Sequence, residues 1–207
     1  MGRRSRSRRP ARRAPFRAPR RRLLVVCEGR VTEPQYIRGL ERQLRNTTVE
    51  VVIPRQHGVP RTLVDAAVAL KAKADRDARR LKDDFIAFDE VWCVYDVDAH
   101  PKLSEALDKA KANGVELAIS NPCFELWLLL HFRDSPGARD RQDVQRLVGS
   151  FIGGYQKRVD FDQLAPGLDS ARARARRLHE DAERMGESGR NPTTGVFRLV
   201  DSMARVE

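Results

Sequence analysis

Four short apolar runs, each separated from the next by an amphipathic stretch, constrain this chain more than any other feature. Residues 23–27 (LLVVC), 49–53 (VEVVI), 90–95 (EVWCVY) and 115–119 (VELAI) have strand length and β-branched or aromatic content. Strands that are almost continuously apolar belong to sheets covered on both faces. The stretches between them read as helices. Residues 32 to about 44 place Ile37, Leu40 and Leu44 at helical spacing, with Thr32 as a plausible cap and Pro34 in the first turn. Residues 62–83 put Leu63, Ala67 and Leu70 on one face, and 103–112 ends near Gly114. Residues 123–132 (CFELWLLLHF) are too apolar for an exposed helix and too long for an ordinary strand, so a buried helix starting at Pro122 is expected. The predicted fold class is α/β, a mostly parallel central sheet with helices on both faces.

Beyond residue 133 the pattern changes. Residues 134–146 are polar, a helix includes 143–149, Gly153-Gly154 breaks the chain, and 169–185 reads as an Arg/Ala-rich helix with Leu178 and Met185 among few large apolar positions. Residues 191–194 turn the chain before a short apolar end. The expected division is a disordered Arg-rich tail over 1–22, an α/β core over 23–133, and a mainly helical C-terminal extension over 134–207 packed on the core.

With 207 residues, 41% of them hydrophobic, the chain can bury a real core. No apolar run approaches the ~20 residues that cross a bilayer, so no membrane partner is expected. Three cysteines do not make a disulfide scaffold, and a cytoplasmic location is the expectation. The net charge of +11 is local: residues 1–22 hold eleven Arg and no acid, and the remainder carries 29 basic and 29 acidic residues. A flexible polycation of this kind binds DNA or RNA through counterion release, without sequence preference; the alternative is a solvated extension.

Three polar clusters fall at the carboxyl ends of expected strands, where α/β sheets place their sites. They are Glu28-Gly29, Asp96-x-Asp98, and Asn121-Pro122 with Glu125. Carboxylates gathered there repel one another unless a hard divalent cation sits between them, and Mg²⁺ takes oxygen ligands together with waters or phosphates. Gly29 allows close backbone approach. Either dipeptide motif alone also suits a turn or a cap; their conjunction at two strand ends is what points to a metal site. Glu125 can hold a second ion or orient a water, or serve as a first-turn helix acid. Asn121 can bind a metal water or cap the helix, His100 can act as a base or peripheral ligand, and Glu33 fits a capping role better than ligation. Arg30, Arg55, Lys157 and Arg158 are candidate phosphate contacts, each with a solvated alternative. The run RARARR (172–177) can touch a phosphate backbone or form surface ion pairs. Cys27, Cys93 and Cys123 lack zinc spacing and His131 packs within the apolar helix. No P-loop is present, so ATP-driven activity would need a partner.

The segments LLVVCEGRVTEPQYIRGL, VWCVYDVDAH and AISNPCFELWLLLHF together resemble the RloB family. That family is similar to the Toprim-like group of topoisomerases, bacterial-type primases and nucleases. The resemblance implies a Toprim-like fold in which Glu28, Asp96 and Asp98 hold Mg²⁺, with Mn²⁺ as an alternative, for phosphodiester chemistry. Some Toprim proteins have a third Asp where this chain has His100. The resemblance also implies a phage-defence or restriction-linked setting; the partners to expect are DNA or RNA and an ATPase or restriction-system protein, with a homo-oligomer left open. Three functions stay open: a metal-dependent nuclease, a noncatalytic nucleic-acid-binding or regulatory subunit, and another metal-dependent phosphoryl transfer on nucleotide or nucleic-acid ends.

Overall fold

The structure, a computed structural model, describes residues 20–45, 47–52, 60–97 and 103–205. Four parallel strands, β1 (Arg21–Cys27), β2 (Thr47–Val52), β3 (Glu90–Asp96) and β4 (Glu116–Asn121), alternate with helices α1 (Thr32–Leu44), α2 (Pro60–Leu81) and α3 (Leu103–Ala112). The chain continues through α4 (Glu125–Leu129), α5 (Arg141–Phe151), α6 (Phe161–Leu164) and α7 (Leu168–Arg184) to a two-residue strand β5 (Thr193–Thr194) and α8 (Val196–Ala204). The strand order is β2-β1-β3-β4-β5, with β5 antiparallel to β4. This is the expected mostly parallel sheet with helices on both faces and a mainly helical C-terminal extension.

Strand periodicity divides the apolar runs between two cores. Leu23, Val25 and Cys27 of β1 join Trp92 and Val94 of β3 beneath α1, α4, α5, α7 and α8. Leu24 and Val26 join Val91, Cys93 and Tyr95 beneath α2 and α3. Both faces are therefore dry, which is why these strands show no polar alternation.

Helices α1 and α2 lie on opposite faces, and the strand order reverses between β1 and β3. Such a switch point opens a crevice at the carboxyl ends of the two strands. The chain therefore places Glu28 and Asp96 side by side at the carboxyl edge of the sheet.

Some local expectations change. β1 begins at Arg21, so the last two residues of the segment expected to be disordered are strand residues. Arg21 pairs with Glu90, and Arg22 stacks 4.7 Å from the Phe88 ring centroid. Thr32 does not cap α1: Val31 is the N-cap residue and its side chain makes no capping hydrogen bond, while the Glu33 carboxylate accepts from its own amide in the first turn. The hydroxyl of Thr32 instead donates to the Lys157 carbonyl at 2.9 Å. The buried stretch 123–132 is regular helix over Glu125–Leu129 alone, with turns on either side. His131 packs in it as expected, its ring between the Trp127 carbonyl (3.0 Å) and the Tyr36 hydroxyl (3.2 Å). No described helix is long and apolar enough to cross a membrane.

Candidate active site

The Glu28 amide donates to the Val94 carbonyl at 3.0 Å, carrying the β1–β3 ladder one residue past the strand. The Glu28 carboxylate then accepts the Asp96 N–H at 3.2 Å. β4 ends beside them, paired to Asp96 at Ser120, and the chain turns into α4 with Glu125 as its first residue. The first turn of α1 brings Glu33. These four carboxylates line one pocket of about 390 Å³, together with Gly29, Arg30, Arg141, Gln145 and Lys157.

The pocket is rich in like charge, and two of its acids are buried. Glu33 is 7% exposed and Glu125 5%. Burial pushes the Asp96 carboxyl well above its usual range, and the charges of Glu33, Glu125 and Glu28 push the same way, against the pull of Arg141. Burial also raises Glu33, opposed by the amides of Glu33 itself and Gly29 and reinforced by Glu125 and Glu28. A Cβ at residue 29 would lie 1.9 Å from Glu33 Oε2, so only glycine lets this carboxylate rest on the backbone there.

Glu125 is held in place. Its Oε1 accepts from Gln145 Nε2 at 3.0 Å and from the Tyr155 hydroxyl at 3.1 Å. Burial and then the Glu125 charge push the Tyr155 phenol far up, so it stays a protonated donor. On the cationic side, Arg141 lies 3.2 Å from Asp96 Oδ2, and Arg30 and Lys157 line the rim.

The sequence reading placed Glu28, Gly29, Asp96, Glu125, Arg30 and Lys157 near this edge, and all six line the pocket. Arg158 is exposed and does not line it. Asn121 donates to the Gly189 carbonyl at 2.9 Å and also lies off the lining; α4 has Phe124 at its N-cap position and no side-chain cap. Asp98, His100 and Arg55, and the tail through residue 19, lie outside the described residues. The run 172–177 is committed elsewhere: Arg172 and Arg176 pair with Asp201, and Arg174 with Asp134. The surface ion pairs expected as the alternative are present, mostly between elements, with Arg172 also paired to Asp169 on its own helix.

Four residues escaped the sequence reading. Glu33 looked like an ordinary first-turn acid, and its approach to Gly29 has no sequence signal beyond the glycine. Arg141, Gln145 and Tyr155 come from the C-terminal extension. The i,i+4 spacing of Arg141 and Gln145 shows only that they share a helix face.

All the acidic donors here are oxygen atoms, the chemistry a hard cation requires. Among the described residues, no group of three or more His, Cys, Asp or Glu is arranged to hold a metal ion. The three thiols are buried free cysteines and form no alternative centre.

The family model for RloB-like protein matches residues 23–203. No curated protein matches the chain, and no solved structure does. The chain belongs to the RloB-like family.

Proposed function

We propose, from RloB-like family membership and the acid pocket at the β1/β3 switch point, that this protein hydrolyses phosphodiester bonds of nucleic acid with the help of a divalent cation. The observation that carries this reading is the Glu28–Asp96 contact at the carboxyl ends of adjacent parallel strands. A Toprim-like relationship, and a phage-defence or restriction-linked setting, belong to the same proposal.

Glu28 and Asp96, with Asp98 from the residues that follow, would hold Mg²⁺, or Mn²⁺ in its place. When bound, such an ion polarises the phosphoryl oxygen and lowers the pKa of a water. Glu125, fixed by Gln145 and Tyr155, is placed to accept a proton from the attacking water. Arg141, Arg30 and Lys157 supply positive charge for the scissile phosphate. Carboxylates raised by burial and then by one another's charge are relieved by a cation, which favours a metal-dependent reading over a purely basic binding surface.

The test is cleavage of defined DNA and RNA oligonucleotides with and without Mg²⁺. Glu28→Ala and Asp98→Ala should each abolish metal-dependent cleavage while leaving the protein folded. Cleavage retained in either variant overturns the site assignment.

A further inference from the structure

The acid pocket provides chemistry, but a polymer must also be held beside it. Outside the eleven-Arg segment the chain is formally neutral, so any polyanion site on the folded body depends on local excess. Much of its Arg is neutralised internally: Arg172 and Arg176 by Asp201, Arg174 by Asp134, Arg184 by Asp181, Arg146 by Asp143 and Arg61 by Glu105. Among the cations left without an acidic partner, Arg38, Arg42, Arg45, Lys157 and Arg158 lie on or beside α1, which starts at the acid pocket, whereas Lys73, Arg76 and Arg79 lie on α2 across the sheet. All five of the α1 group are exposed, and among the described residues none has a carboxylate within ion-pair distance.

Their placement is ordered. α1 starts at the acid pocket with Thr32 and Glu33, and it buries Tyr36, Ile37 and Leu40. Arg38 and Arg42 follow at i and i+4 on the opposite face, and Arg45, the residue that ends the helix with a left-handed backbone, continues the line of charge beyond them. The segment carrying Lys157 and Arg158 runs along the flank of the same helix. The Lys157 carbonyl accepts from Thr32, and the Val159 amide donates to Gln35 Oε1 at 2.8 Å. Gln35 stands in the i, i+3, i+7 row with Arg38 and Arg42. Acids nearby are engaged elsewhere: Glu41 accepts the Val49 N–H at 2.9 Å, and Asp160 caps α6 through the Asp162 N–H at 3.1 Å. Asp162 shares a groove with Arg42 and leaves the balance positive.

We infer that the α1 stripe, with Lys157 and Arg158, is a backbone-binding track that leads a single nucleic-acid strand into the acid pocket. What happens in the pocket rests on the phosphodiester reading above. From Thr32 to Arg45 the helix spans about 20 Å, the length of several nucleotides. A single file of cations on one helix suits one strand, where a duplex would need a broad basic face.

The test is fluorescence anisotropy with labelled 20-nucleotide single-stranded DNA and RNA, using the full chain in EDTA across a salt series. The triple variant Arg38→Gln, Arg42→Gln, Arg45→Gln should lose at least about tenfold in affinity for the tighter ligand, and its log–log salt slope should flatten by about 2, the value for three phosphates on a single strand. The matched variant Arg3→Gln, Arg4→Gln, Arg6→Gln removes the same charge from the tail and should cost less. Equal losses in the two variants, an unchanged α1 variant, or no binding by the wild type would each overturn the track. Far-UV circular dichroism and melting confirm folding; if the triple variant melts early, the double variant Arg38→Gln, Arg42→Gln carries the comparison, with a slope change of about 1.4. Because EDTA removes the metal, a nuclease result of either sign from Glu28→Ala leaves this comparison standing.

Discussion

The guanidinium of Arg141, the first residue of α5, lies 3.2 Å from Oδ2 of Asp96, the last residue of β3. A residue of the C-terminal extension thereby pulls against the burial and the three acids that raise this carboxyl. Removing it takes away an attraction to the ionised form and drives the carboxyl further toward neutral. Arg141→Ala should lower stability by about 1–2 kcal/mol, less than for a fully buried pair because the arginine is 39% exposed. On the nuclease reading it should also slow cleavage at least about tenfold. Urea denaturation and an oligonucleotide assay check the two effects, and an unchanged rate would remove Arg141 from the site.

Gly29→Ala should be costly out of proportion to one methyl group, because the new Cβ would meet Glu33 Oε2 at 1.9 Å. The expected loss is about 1–3 kcal/mol. Shortening the partner relieves the clash, so a cycle with Glu33→Ala should show coupling of about 1 kcal/mol or more. Additive effects would mean that the glycine serves the turn and not the carboxylate.

Tyr155→Phe removes one of the two hydrogen bonds on Glu125 Oε1 and leaves that of Gln145. Stability should fall by about 0.5–1.5 kcal/mol. If Glu125 handles the attacking water, kcat should fall several-fold with KM little changed. A variant that loses stability and keeps kcat would limit Glu125 to a structural part.

Glu33→Gln should raise the melting temperature at pH 7.5. Burial and the neighbouring charges raise the wild-type carboxyl above its ordinary value, so its ionised form costs stability at neutral pH. The folded protein takes up this proton at higher pH than the unfolded chain, and wild-type stability from this group grows as pH falls. The advantage of the variant should therefore shrink toward acid; an advantage that widened there would contradict the assignment.

His131 has the opposite sign. Burial lowers its pKa to about 4, helped by Arg174 and resisted by hydrogen bonds to the Trp127 and Leu128 backbone. The folded protein keeps the ring neutral, with Nδ1–H donating to Trp127 O and Nε2 accepting from Tyr36. The unfolded chain binds a proton near 6.5, so stability from this group is full above that pH and is lost as pH falls toward 4, on the order of 3 kcal/mol in all. Comparing the pH slope of urea unfolding between the wild type and His131→Phe isolates it. Identical slopes would show that the ring is not buried neutral.

The elements were legible where local physics decided them. β1 and β3 announced themselves because both faces are dry, and Glu28 and Asp96 could be placed because a strand end fixes the edge a residue reaches. Thr32 was misplaced because capping chemistry read along the chain has no knowledge of Lys157, whose carbonyl takes its hydroxyl. The RARARR run left phosphate contact and surface ion pairs both open because Asp134 and Asp201 are distant in sequence and adjacent only after folding.

By itself, the sequence determined which strands are buried and that two carboxylate-bearing strand ends share an edge, because periodicity and burial are properties of neighbouring residues. Tertiary structure decided what surrounds those carboxylates. α5 packs on α4 and carries Arg141 to Asp96 and Gln145 to Glu125, while the segment before α6 brings Tyr155 and Lys157 to the same rim. Those contacts join residues 20 to 125 apart in the chain, and the packing of the extension creates them. The same packing sorts the positive charge: Arg172 and Arg176 of α7 are neutralised by Asp201 of α8, whereas Arg38 and Arg42 of α1 face outward near the acids.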